Sequence, residues 1–234
     1  MNTDETARMA PIEQALVTRF SKKDLSRWVE EHAIAYKEML SYYRAALARI
    51  EGRLHHTQEE LLLQYGSDPI DATHIFVKPA EKIVDATLAN GLPLTVENME
   101  KHQDDIACME IVCTFPSELF LVADAMLKDT DLVLLEREDN TRQPQSNGYR
   151  GLHLLLSVPV TLGGRTRRVK VTVRLRTGVM QLWSDIEQKL SREKDVLVPE
   201  QVREELRACA EIGAELDARL EQIRYNIDHR VITK

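Results

Sequence analysis

The run from Arg168 to Thr177 alternates without a break: Val169, Val171, Val173 and Leu175 occupy one set of positions, and Arg168, Lys170, Thr172, Arg174 and Arg176 the other. Successive side chains of a strand point to opposite faces, so this pattern makes a strand with one apolar and one cationic face, whereas a helix would mix the two sets around its circumference. Upstream lies a second apolar run, Leu152 to Val160, and Gly163-Gly164 stands between them. Two glycines between alternating segments are a hairpin signal, so the reading is a long β-hairpin over Leu152 to Val160 and Thr166 to Thr177. Cations at alternate positions stand about 7 Å apart along the strand, a spacing that suits phosphates. Arg174 and Arg176 are the residues expected at a polyphosphate, since the guanidinium fork can hold phosphate through two bonds. The competing reading is a solvated outer face of an antiparallel sheet.

Helical periodicity governs both ends of the chain. From about Pro11 to Tyr65, Ala35, Met39, Tyr42 or Tyr43, Ala46, Ile50 and Leu54 recur at helical spacing, and from Glu200 to Ile227 so do Val202, Leu206, Cys209, Ile212, Leu216, Leu220 and Ile223. Gly66, Pro69 and the segment through Pro79 read as a break. A helix from Ala80 to Leu88 ends at Asn90-Gly91, and Thr95 caps a short helix leading towards Asp105. Met109 to Thr114 and Asp131 to Glu136 read as strands, with a helix from Pro116 to Lys128 between them. Asn140 to Asn147 reads as a polar loop, and Val179 to Leu190 as a helix. The expectation is an α+β fold, a mixed sheet of about five strands flanked by helices with N- and C-terminal helical extensions. The divisions are 1–70, 71–190 and 191–234 within one compact domain.

A chain of 234 residues, 43% hydrophobic and 29% charged, can bury one sizeable core. No apolar run is long enough to cross a bilayer, and the polar, acidic start is unlike a targeting leader, so a cytoplasmic protein away from membranes is expected. A net charge of −7 argues against general nucleic-acid binding, and the basic run Arg165 to Arg168 reads as a solvated hairpin tip. Cys108, Cys113 and Cys209, an odd count without CxxC spacing, fit neither a disulfide framework nor a thiolate zinc site.

Asn147-Gly148-Tyr149-Arg150-Gly151-Leu152-His153, the hairpin ending Val173-Arg174-Leu175-Arg176-Thr177, then Trp183 and Glu187, together resemble the synthetase domain of the RelA/SpoT family. So do Asp105-Ile106-Ala107 leading into Ile111-Val112-Cys113, and Val77-Lys78-Pro79. The similarity runs from about Asp71 to Leu190, and helices on both sides with no hydrolase half resemble the small single-domain members, whose terminal helices assemble tetramers. The resemblance implies transfer of pyrophosphate from ATP to the 3′-hydroxyl of GTP or GDP, giving (p)ppGpp, with Mg2+ on the ATP phosphates. By position it implies that Asp105 is the metal-binding and catalytic aspartate, that Tyr149 stacks on guanine with His153 beside it, and that Lys78 and Arg176 contact phosphates.

Several positions depart from the family pattern. Its second carboxylate, in a Glu-Ile-Gln-Ile-Arg-Thr-like strand, falls on Thr172, and its glutamine on Arg174; two arginines that sandwich adenine fall on Phe76 and Glu110; Cys108 takes a glycine position. Threonine is a poor general base and brings no charge to magnesium, so a loss of at least about two powers of ten is expected for that role. The acid and the arginine have changed strands, which predicts a Glu110–Arg174 ion pair that closes part of the ATP side and leaves the guanine side open. Three functions follow: a GTP pyrophosphokinase with weakened catalysis; a pseudosynthetase that binds guanine nucleotide or alarmone and acts through a homo-oligomer or partner; and a structural protein with solvent-facing strand charges.

Overall fold

The computed structural model describes residues 32–192 and 199–231. The part of the N-terminal helical reading that falls on residues 1–31 lies outside them. A long helix, α1 (Ala33–Tyr65), leads into strand β1 (Ile70–Val77); helices α2 (Ala80–Ala89) and α3 (Val96–His102) follow, then β2 (Ala107–Cys113), α4 (Pro116–Met126) and β3 (Val133–Asp139). The hairpin is β4 (Leu152–Leu162) and β5 (Arg165–Thr177), followed by α5 (Gly178–Arg192) and α6 (Glu200–Val231). The five strands form one mixed sheet in the order β1-β2-β5-β4-β3, in which β2 and β5 are parallel and the other pairs antiparallel.

The central strand behaves as its alternation requires. Val169, Val171, Val173 and Leu175 are buried, beside Leu152, Leu154, Leu156 and Val158 of β4 and Met109, Ile111 and Cys113 of β2. On this layer lie Met39, Tyr42, Tyr43, Ala46, Ile50 and Leu54 of α1 and Leu119, Val122, Ala123 and Met126 of α4. Gly163 and Gly164 both have positive φ, 54° and 76°, the two-residue turn whose twist matches that of the strands it joins. Arg53 of α1 donates to the carbonyls of Ala125 and Met126, satisfying the end of α4.

Three local readings shift. The segment read only as a break contains β1; its Ile70, exposed alternate positions and interior histidine make weak alternation, and pairing with β2 supplies the order. The strand expected at Asp131 to Glu136 runs instead from Val133 to Asp139, an edge strand exposed along its whole length, so no buried face fixes its limits. The basic hairpin tip is partly tied down: Arg167 pairs with Glu100 at 2.7 Å and lies over the Tyr42 ring, and Arg168 donates to Ser157 and to the carbonyl of Asp131. The Thr95 cap is as expected, accepting the Asn98 N–H at 3.2 Å. Among the described residues no helix is long and apolar enough to cross a membrane.

Ile111 is fully buried on β2, between β1 and β5. Ile111→Ala is expected to cost about 2–5 kcal/mol, read as a lower urea midpoint with an unchanged m value; a loss of only ~0.5 kcal/mol, the size usual for a surface substitution, would mean that the site collapses around the smaller residue.

Candidate functional site

The face of the sheet opposite the core carries two rows of side chains set by strand register. One row crosses all five strands as His74, Glu110, Arg174, His153 and Glu138; the next runs Phe76, Cys108, Thr172, Leu155 and Glu136. In the first row the expected ion pair is present. Glu110 Oε1 lies 3.4 Å from Arg174 Nη1 and also 3.3 Å from Arg176 Nη2, so one carboxylate answers two guanidinium groups.

Arg176 is the most enclosed charged residue of the site, its side chain 3% exposed. Its Nε donates to the Tyr149 hydroxyl at 2.8 Å and its Nη1 to Gln181 of α5 at 2.9 Å. The same hydroxyl lies 2.6 Å from His153 Nε2, and His153 Nδ1 faces Glu138 at 3.6 Å. Burial, reinforced by the Arg174 charge, pushes His153 down to about 4, so the ring is neutral near pH 7. Since Arg176 Nε donates to the Tyr149 oxygen, the tautomer with its N–H on Nδ1 lets Nε2 accept the tyrosine proton, and the Glu138 carboxylate at 3.6 Å faces that N–H from beyond hydrogen-bond distance. The tyrosine is tethered by its hydroxyl, and burial raises its pKa.

At the start of β2 the Asp105 carboxylate holds Lys78 Nζ at 2.5 Å, and Gln103 accepts from the same ammonium at 3.3 Å. Gln103 is itself fixed by bonds to Ile83 and Thr87 of α2. Thr172 Oγ1 donates to the backbone carbonyl of Asp104 at 2.7 Å, and Lys170 pairs with the Asp104 carboxylate. Cys108, in the second row, is fully buried, and burial raises its thiol to about 11, so it fills space as a protonated thiol.

Two openings take seven of the nine predicted residues, and Tyr149 and Arg176 line neither. Phe76, Lys78, Asp105, Glu110 and Arg174 line a cleft of about 810 Å³ with Lys82, Asp85, Asp185 and Gln188. His153 and Thr172 line a smaller one of about 120 Å³ with Asp104, Glu136 and Glu138. Glu138, Gln103 and Gln181 join the site without a sequence pattern that marks them; they reach it through register and helix docking, for which a single sequence carries no local signal.

The donor set can be compared with a magnesium site. Among the described residues no group of three or more His, Cys, Asp or Glu is placed to hold a metal ion. Asp105 is the one carboxylate at the expected position, and Thr172 leaves the second position neutral, so Asp105 would hold Mg2+ only with phosphates and water completing the coordination. An ion so held would offset phosphate charge.

His153 also sets a pH dependence. Its folded-state pKa lies below the ordinary value of 6.5, so the unfolded chain binds the proton more readily. The associated stability is therefore present above pH 6.5 and is lost as the pH falls towards 4, by at most about 3 kcal/mol. Urea unfolding between pH 4 and 7 should show this slope in the wild type and a shallower one in His153→Gln; identical slopes would remove the buried neutral histidine.

Residues 76–195 match the model of a region found in RelA / SpoT proteins. The chain is 33% identical over 193 residues to the GTP pyrophosphokinase YwaC of Bacillus subtilis (strain 168), an alignment spanning 82% of this chain and 92% of that protein. It is 27% identical over 192 residues to the GTP pyrophosphokinase YjbM of the same organism, covering 81% and 88%. Among solved structures, small alarmone synthetase 1 from Bacillus subtilis bound to its product pppGpp superposes with a TM-score of 0.75 at 25% identity, covering 82% of this chain and 98% of that one. Small alarmone synthetase 2 from Bacillus subtilis gives 0.72 at 31% identity, covering 81% and 98%. The mixed sheet, the motif order and these likenesses agree: the chain belongs to the RelA/SpoT family, in which it is similar to the small alarmone synthetases.

Proposed function

We propose that this protein is a (p)ppGpp synthetase of the GTP pyrophosphokinase type whose guanine-nucleotide side is retained and whose transfer of pyrophosphate from ATP is slow. The observation that carries the reading is Thr172: its hydroxyl is spent on the Asp104 carbonyl at 2.7 Å, where the family resemblance calls for a second carboxylate. Asp105 is the remaining acid, and it is neutralised by Lys78. On the guanine side, the Tyr149 hydroxyl is hydrogen-bonded to both His153 and Arg176, which supports an ordered stacking platform.

Purified protein with magnesium, labelled ATP and GTP or GDP is expected to transfer label at least about 100-fold more slowly than YwaC measured alongside it, and Glu110→Arg with Thr172→Glu to raise the rate. An equal rate in the wild type would overturn the reading, and a folded double variant that is no faster would show that these two positions do not account for the loss. The second reading, a binding protein without transfer, is favoured by one observation: Glu110 occupies both Arg174 and Arg176, the cations otherwise available to phosphates. Calorimetric binding of GTP or pppGpp with no label transfer would select it.

We also propose a homo-oligomer, with a tetramer as the size implied by the small family members. Its support is α6, on which Ile212, Leu216, Leu220, Ile223 and Ile227 are 43–67% exposed. Leu216, Leu220, Ile223 and Ile227 follow spacings of four, three and four, the seam of a coiled coil. Light scattering is expected to give a mass above that of one 26.8 kDa chain, and Leu216→Glu with Ile223→Glu to reduce it without loss of helix; a monomeric wild type would sink the idea.

A further inference from the structure

The loop that presents Tyr149 is held from behind by α6. Gly148, at φ +96°, is pressed so closely against the helix that a Cβ there would stand 2.9 Å from Ala210 Cβ and 3.2 Å from Arg207 Cα. Arg207 Nε donates to the Ser146 carbonyl at 3.0 Å. Trp183 of α5 packs beside Gly148 and donates its indole N–H to the Leu206 carbonyl at 2.8 Å, fixing the height of α6 on α5. Further along the helix, Asp217 accepts from Thr177 at 2.7 Å, and Glu221 accepts the Ser117 N–H at the start of α4.

The loop has little else on that side. Within itself it closes a turn, with Gly148 N–H donating to Gln145, Gln145 N–H to Tyr149, and Tyr149 N–H to the Asn147 side chain. Such a turn is a local unit. Gln145 Nε2 donating to Glu138 of β3 at 3.5 Å and Arg150 donating to the Thr141 carbonyl tie its flanks, and two anchors place Tyr149 itself: its hydroxyl between Arg176 and His153, and the Arg207–Ser146 bond with the Gly148–Ala210 contact. The first anchor fixes the far end of the ring. The second fixes the backbone that carries it.

We propose that Arg207 and Ala210 are positioning residues for the guanine-nucleotide site, acting through the 145–149 loop rather than by touching the ligand. The proposal rests on the reading that Tyr149 stacks on guanine, and it adds that α6 sets how much of the free protein has the tyrosine in place. When only a fraction of molecules is competent, the apparent Kd rises by the inverse of that fraction. Losing a charge-assisted bond to a backbone carbonyl should lower the equilibrium constant for holding the loop roughly tenfold, which cuts the held fraction about fivefold when the free loop is held about half the time.

The test uses the full chain and two variants, Arg207→Ala, which removes the donor from an exposed side chain, and Ala210→Leu, which drives bulk into the Gly148 contact. Hydrogen exchange without nucleotide is expected to speed up about tenfold across residues 141–150 in both variants, with the β2 and β5 amides unchanged. Calorimetry should show a Kd for GDP raised about five- to tenfold, and Arg207→Lys, which keeps a cationic donor, should recover part of the loss. Unchanged exchange in both variants, or faster exchange with an unchanged Kd for GDP, would overturn the proposal. If the wild type binds no GDP, the guanine reading itself fails, and the exchange experiment still decides whether α6 holds the loop.

Discussion

Strand β5 lies in the middle of the sheet with its apolar set sealed against α1 and α4, so its cationic set has to be accommodated on the other face. Guanidinium groups brought that close to a low-dielectric layer need partners, because an unpaired buried charge costs several kcal/mol, on the order of 3–5. Lys170 finds Asp104, while Arg174 and Arg176 share Glu110. This arrangement decides much of the site. Phosphate binding by Arg174 must compete with a carboxylate already in contact, and Arg176, with its donors also taken by Tyr149 and Gln181, serves the aromatic platform from beneath.

What alternation controls is legible in the sequence alone. Strand direction, the Gly163-Gly164 turn and the two faces of β5 follow from period two, and the Glu110–Arg174 pair follows from an acid and an arginine having exchanged strands. The burial of Arg176 does not follow from alternation, which assigns it to the cationic face along with Lys170; α5 folds back over that end of β5 and encloses it through Gln181. β1 is hidden in the sequence because His74 and Phe76 face outward and the segment lies between Pro69 and Pro79, so its order comes from β2 rather than from its own pattern. Glu138 enters the site by a register in which it stands opposite His153, information held by two strands jointly.

The departures from the family pattern fall unequally on the two openings. The larger cleft contains Phe76 and Glu110 at altered positions, and its remaining acid, Asp105, is engaged by Lys78. The smaller opening loses a carboxylate at Thr172 yet keeps His153 beside a fully bonded Tyr149. Chemistry that needs a triphosphate and a metal ion depends on free charge, whereas holding a purine depends on an ordered apolar surface with a few placed dipoles. On the proposed function, substitutions that pair the charges internally bear on the first requirement more than on the second.

The C-terminal helix links the Tyr149 loop to the outside of the molecule. Its inward edge is small and polar, Ala210, Gly213, Ala214 and Asp217, which permits the close approach to Gly148 and α5; the adjacent stripe of Ile212, Leu216, Leu220 and Ile223 is left exposed. A helix is stiff over these few turns, so any chain that covers the stripe restrains the same backbone that carries Arg207 and Ala210. Covering the stripe biases the loop only by the difference in that cover's free energy between the held and released states, and the Arg207–Ser146 bond and the Gly148–Ala210 contact are where such a difference arises. Coupling of that kind is reciprocal, so a ligand that orders Tyr149 favours the covered helix by the same free energy with which the cover favours the ligand.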